Sequence, residues 1–269
     1  MNRVTPAITL RKSLIAWMVL TIGSAATLAG PTIREIESRR ALERKAFSDA
    51  EILDGFFKTT FGAEFRVDGR VDRIRKYDVP ARVFIDNRAN PDRSAQVAQV
   101  IDDIRSRIDH LDIAITADRG EANIVVALIH DRDLAATIKS LYGPARARRI
   151  ERSLEPQCLS SFRKDETFRI LRSDVILVVD AGDFVFYDCA YEEILQSLGP
   201  INDDTSVPWS MFNDNVQMGF FDVYDQYLLN ILYDPRMRPG MTHEEARAVV
   251  PKILPGVREF VAKVNKLNP

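Results

Sequence analysis

The stretch Tyr191-Glu192-Glu193-Ile194-Leu195-Gln196-Ser197-Leu198-Gly199 places two carboxylates, an amide and a glycine at fixed spacing. In a helix, Glu192 and Gln196 share a face because they are four residues apart, whereas Glu193 diverges from Glu192 by about 100°. A carboxylate tuned by burial can take or give a proton, which makes Glu193 the candidate general base. Glu192 and Gln196 would hold a substrate or an ion beside it. The competing reading is that both are ordinary polar positions of a helix.

The spacing is also the frame of a zinc hydrolase helix, His-Glu-x-x-His-x-x-Gly. In that frame two imidazoles bind the metal and the intervening Glu takes a proton from bound water. Here the base position is kept by Glu193, and both imidazoles are replaced, by Glu192 and Gln196. A carboxylate can ligate zinc, but an amide oxygen substitutes poorly for imidazole. A third ligand would fall on Asn202, followed by Asp203 and Asp204, and Met211 lies where a methionine turn would come. No histidine rescues the site: His110 and His130 fall near expected strand ends, and His243 opens a helix with Arg247 where a second ligand would stand. Zinc is therefore not expected, and no cofactor is implied. A metal on oxygen ligands such as Glu192, Asn202 or Asp203 would be calcium, magnesium or manganese. Asn213-Asp214 reads as a turn, Asp225 as a helix residue paired with an arginine, and Trp209 and Phe212 as packing under the loop.

The elements that must position these groups follow from hydrophobic period. Ser48 and Glu51 form a capping box for a helix through Ile52, Phe56 and Phe57. Val67, Val71 and Ile74, then Ala81–Ile85, read as two strands. Val97, Val100, Ile101, Ile104 and Ile108 mark an amphipathic helix. A short strand follows at Leu111–Ile115, then an apolar run, Ala122–Ile129, suited to a central strand. A helix over Asp131–Tyr142 precedes a basic stretch with Arg146, Arg148, Arg149 and Arg152, read as a solvated helix face. Val175–Val179 returns to strand, and the motif helix starts near Asp188 as N-cap. After a loop over Asn202–Gln217 come a helix at Phe221–Tyr233, a second capping box at Thr242 and Glu245, and a terminal helix at Val257–Leu267. This order defines an α+β (mixed α/β) domain with one sheet.

Arg3, Arg11 and Lys12 precede an uncharged stretch, residues 13–33, with an apolar centre and small residues at Gly23–Ala26. That is the order of a signal peptide, long enough to remain as an inner-membrane anchor. Leu28-Ala29-Gly30 opens a lipoprotein box, but Pro31 replaces its cysteine, so lipidation is not expected. The expected location is periplasmic or secreted. In that compartment Cys158 and Cys189, the chain's two cysteines, form either a disulfide or two buried free thiols. The 269 residues carry a net charge of −2, which gives no reason to expect nucleic acid. Membrane contact is expected only through the N-terminal segment.

The run Cys189–Gly199, with Phe212-Asn213-Asp214 and Leu232-Tyr233-Asp234-Pro235-Arg236-Met237-Arg238-Pro239-Gly240-Met241, closely resembles an exported proteobacterial family known as a domain of unknown function. Its members look like degenerate zincins of the metzincin kind. The resemblance implies a zincin-like single twisted sheet with flanking helices, the motif helix being followed by a helical C-terminal part. It also implies a paired Cys158 and Cys189, and it assigns no activity. The expected organisation is a signal peptide or anchor over 1–30, a charged helical stalk over 31–60 and a zincin-like domain over 61–269. The expected role is a non-catalytic binding or scaffold module for a periplasmic protein, peptide or envelope ligand. The alternative is a hydrolase using Glu193 with Glu192 or Gln196, with or without a non-zinc metal.

Overall fold

The computed structural model describes residues 33–62, 72–150 and 157–267. The export segment, Val67 and Val71, and Arg152 lie outside the described residues. Helices α1 (Arg34–Leu42) and α2 (Asp49–Thr60) precede β1 (Ala81–Asn87), α3 (Ser94–Arg107), β2 (Ile113–Ile115) and β3 (Ile124–Ile129). A 3-10 turn at Asp131–Asp133 leads to α4 (Leu134–Tyr142) and α5 (Pro144–Ile150). Then come β4 (Cys158–Lys164), β5 (Ile170–Val178), α6 (Asp183–Ser197), α7 (Val223–Tyr233) and α8 (His243–Asn265).

The strands form one sheet in the order β2-β1-β3-β5-β4, which makes the chain a mixed α+β protein. β3 is central and buried along its whole length, as its unbroken apolar run requires. Four strands run parallel, and β4 alone is antiparallel, at the edge beside β5. Alternation along β3 and β5 sorts the core into two layers. Ile124, Val126, Leu128, Val175 and Leu177 join the large core under α2, α3, α6, α7 and α8. Ala127, Ile129, Ile176 and Val178 face a thinner layer closed by Leu134 and Ile138 of α4 and Ala147 and Ile150 of α5.

The stretch expected as a stalk over 31–60 divides near Phe47. Helix α1 buries none of its residues. Helix α2 buries Ile52, Phe56 and Phe57 in the main core and is started by the expected capping box of Ser48 and Glu51. The expected terminal helix is longer than its pattern suggested. α8 runs unbroken from His243, through Pro251 and Pro255, because Val250, Ile253, Leu254, Val257 and Val261 carry one buried stripe across both prolines. Both prolines are on the exposed side, where the carbonyls they leave unpaired can bond water. α6 begins at Asp183, five residues before the expected N-cap at Asp188. No helix among the described residues is long and apolar enough to cross a membrane.

Of the two readings of the cysteines, the bridge is the one formed: Cys158 on β4 is bonded to Cys189 on α6. It closes a loop of sequence separation 31, which in the chain-entropy account contributes about 3–4 kcal/mol. The double variant Cys158→Ser/Cys189→Ser should lose about that much in urea unfolding. An unchanged midpoint would show that the reduced chain is already as constrained as the bridged one.

Candidate functional site

Helix α6 is held at both ends before its polar face comes into play. At its start, the Arg93 guanidinium donates to the Val179 carbonyl at 2.7 Å and pairs with Asp183 at 2.7 Å. At its end, the Ser173 hydroxyl donates to the Ser197 carbonyl at 2.8 Å, and Tyr233 donates to the Leu198 carbonyl at 2.9 Å. Phe186, Ala190, Ile194 and Leu195 bury its apolar face. The chain then turns at Gly199 with φ +142°, and a Cβ there would lie 2.3 Å from the Arg75 carbonyl oxygen, so only glycine fits. Asp188 is a strut in the middle of the helix. Its carboxylate accepts the backbone N–H groups of Met218 and Gly219 at 2.7 and 2.9 Å and ties the following loop to α6.

The turn brings Asp203 back over α6. Gln196 Nε2 donates to Asp203 Oδ1 at 2.8 Å, and the Ser160 hydroxyl donates to Gln196 Oε1 at 3.3 Å. Glu192, Asp203 and Asp214 each present a carboxylate oxygen, all within 4.8 Å of one another. Glu192 and Asp203 are partly buried and Asp214 is exposed. No histidine joins this cluster among the described residues: His243 packs against Phe57 and Phe61, and His130 bonds Asp180 at 3.2 Å. Burial holds the Glu192 carboxyl well above the usual range, and Glu193, Asp203, Asp188 and Asp214 reinforce the shift.

Glu193 faces a different way. It is 7% exposed, its carboxyl bonds Ser160 on β4, and Oε2 has no hydrogen-bond partner among the described residues. Burial pushes it up to about 8, with the bonds to Ser160 opposing and the charges of Asp203 and Asp214 reinforcing. That shift favours its protonated form. With Ser160 donating to Gln196 and Gln196 donating to Asp203, a protonated Glu193 starts a hydrogen-bond chain that ends on the Asp203 carboxylate.

Two expected positions do other work. The Asn202 side chain donates to the Lys58 carbonyl at 2.8 Å and its N–H to the Thr59 carbonyl at 3.2 Å, closing the end of α2. Asp203, one residue on, takes the place expected for Asn202. Met211 is 3% exposed in the core, and its N–H donates to Asp225 at 2.7 Å. Among the described residues Asp225 pairs with no arginine. It accepts from the Ser210 hydroxyl at 2.6 Å and bonds the side chain of Asp222, the N-cap of α7. Asn213 makes the expected turn, donating to the Thr205 and Val207 carbonyls, while its neighbour Asp214 joins the cluster. Phe212 is fully buried, and Trp209 stays partly exposed under the Arg44 guanidinium. Ser160 and Asp214 are the groups that motif spacing missed. Ser160 lies on a strand without apolar alternation, and Asp214 sits in a turn signature.

Fold and site together define a mixed α+β domain with an acidic, histidine-free cluster between its motif helix and the following loop. The chain belongs to the family described as Protein of unknown function (DUF2927), whose family model matches residues 49–252. That span holds every residue of the cluster and both cysteines. No curated protein and no solved structure matches the chain.

The Asp222–Asp225 pair is a measurable source of pH dependence. Burial and the facing Asp225 hold Asp222 well above the aspartate range, and a proton on its otherwise partnerless Oδ2 bonds Asp225. The folded chain thus binds more protons than the unfolded chain from about pH 4 upward, so stability falls as pH rises through that window. Asp222→Asn keeps the acceptor that caps α7 and removes the titration. Its urea midpoint should decline less than the wild type's between about pH 4 and about pH 8, and parallel curves would exclude the shared proton.

Proposed function

We propose that this chain is an exported, zincin-like protein without zinc peptidase chemistry, acting as a non-catalytic binding or scaffold module in the periplasm. One observation carries the reading: the positions that would hold zinc meet as Glu192, Gln196 and Asp203, all oxygen donors, with no imidazole among them. Zinc sites favour nitrogen and sulfur ligands, and an amide already engaged by Ser160 and Asp203 is a weak replacement. Glu193 supports the same conclusion, because burial favours its protonated form and its carboxyl is turned to Ser160. The lone antiparallel strand at the sheet edge beside the motif helix accords with a zincin-like layout. The disulfide suits an oxidising compartment, and the basic, then apolar, N-terminal segment suits export, either cleaved or kept as an anchor over 13–33. β4 ends the sheet next to α6, where an extended peptide could add as a further strand, so a peptide or envelope protein is the partner class proposed.

One observation favours a second reading, hydrolysis centred on Glu193. A carboxyl pushed up to about 8 lies in the range useful to a general acid or base near neutral pH. A single experiment separates the two. Protein purified with zinc supplied should hold substoichiometric zinc by elemental analysis and should leave a mixed peptide library uncut, with or without Glu193→Gln. Stoichiometric zinc with cleavage defeats the non-catalytic reading. Metal-independent turnover that disappears in Glu193→Gln would establish the second.

A further inference from the structure

We propose that the groove between the link joining α1 to α2 and the C-terminal end of α8 docks this domain on a bilayer surface of anionic phospholipid. The inference goes beyond the binding role proposed above and rests on it in one respect, the N-terminal anchor over 13–33. The groove has a volume of about 620 Å³ and a floor of Phe47, Tyr227, Ala262 and Leu267. Lys45, Arg258, Lys263 and Lys266 stand around it, and Glu259 is the one acid among the described residues that line it. Four cations against one carboxylate are a local excess on a chain whose net charge is −2, so the groove is an electropositive place on a weakly acidic protein.

Part of that charge already has a partner within the fold. Arg258 is paired with Asp49, and the neighbouring Arg44 with Glu51. Lys45, Lys263 and Lys266 are exposed and make no salt bridge among the described residues. Basic residues in the last turn of a helix answer its dipole, which accounts for Lys263 and Lys266 without a ligand. It gives no reason for Lys45, which reaches the same groove from the other end of the chain. A separate observation concerns apolar surface. Leu42, the last residue of α1, is 86% exposed, and Trp209 is 37% exposed. The Trp209 ring lies 6.3 Å from that of Phe47 on the groove floor, and the Arg44 guanidinium sits 4.7 Å over each of the two. Exposed Leu and Trp beside a basic groove are the mixture suited to the headgroup level of a membrane, where lysines meet phosphates and amphipathic rings settle.

Position in the chain selects the occupant. α1 starts at Arg34, directly after the uncharged stretch 13–33. Twelve positions separate Ile33 from Lys45, about 40 Å at full extension, and α1 shortens that reach because a helix rises only about 1.5 Å per residue. A chain held by residues 13–33 therefore keeps the groove near the headgroups, at an effective concentration that lets weak contacts count. Each lysine at an anionic surface is worth about fivefold in binding, so the three give roughly 100-fold, an amount that matters most for a tethered domain. An acidic peptide would answer the same charge, but it would gain nothing from the tether and would leave Leu42 exposed for no purpose.

The test uses the full chain reconstituted with vesicles of phosphatidylcholine, alone or with about a third phosphatidylglycerol, and follows lysine acetylation site by site by mass spectrometry. Lys45, Lys263 and Lys266 should react about fivefold more slowly on the anionic vesicles, while exposed Lys139 on α4 should not change. The protection should fade at about 1 M salt, where screening is complete within about 3 Å. In a Trp17→Phe chain, which keeps Trp209 as its one tryptophan, acrylamide quenching should drop on the anionic vesicles. Adding Lys45→Gln, Lys263→Gln and Lys266→Gln, all at exposed positions, should restore it. Equal labelling of the three lysines on both vesicles, or equal slowing of Lys139, overturns the proposal. Equal protection by soluble polyglutamate in the presence of neutral vesicles overturns the choice of lipid. Flotation with the neutral vesicles reports the anchor separately. A chain that floats there, with its lysines labelled alike on both, loses the groove and keeps the anchor. One that floats only with anionic vesicles, its three lysines protected, keeps the groove and loses the anchor, and one that floats with neither loses both.

Discussion

At Gly199 the chain leaves α6 so close to the segment before β1 that a single methyl group would collide with the Arg75 carbonyl. This close approach decides where the next twenty residues can go. It turns the backbone sharply enough for Asn202 to reach the end of α2, and that contact delivers Asp203 onto Gln196. Farther along, Asp188 catches the backbone at Met218 and Gly219, and Asp225 catches it at Met211. The loop from 200 to 222 has no helix or strand of its own, so these carboxylate-to-backbone bonds do the work a hydrogen-bond ladder does elsewhere. The acidity of the region has two sources, then: struts that hold the loop down and the trio that the struts assemble.

Hydrophobic period made the central layers legible. The apolar run of β3, the i, i+3, i+4 stripe of α3 and the two capping boxes all describe short-range physics that a chain states locally. β4 was hidden because Cys158–Lys164 is an edge strand of mixed burial and needs no alternation to be paired. Asp188 resembles an N-cap because of its residue type, yet α6 begins at Asp183, with Phe186 buried in the turn ahead of Asp188.

The site was legible as a set of residue types and less so as a geometry. Glu192, Gln196 and Asp203 meet as spacing suggested, but Asn202 and Asp203 differ by one position, and the choice between them is made by the Lys58 carbonyl, 144 residues away in the chain. Asp214 was obscured by its neighbour, since Asn213 does form the turn its sequence announces. Asp225 reads locally as half of an ordinary ion pair because its burial depends on α7 lying under the loop, a tertiary fact with no local mark.

The bridge between Cys158 and Cys189 has a consequence for how such a site can change. In a metalloenzyme the ion is often a structural tie as well as a reagent, so losing its ligands loosens the fold. Here a covalent bond fastens the motif helix to the sheet edge, and Asp188 fastens it to the loop, with neither using the acidic trio. Architecture and pocket are thereby uncoupled. Substitutions at Glu192, Asp203 or Asp214 can retune what the pocket holds without asking the helix to find a new support, the freedom a lineage needs to exchange one ligand for another.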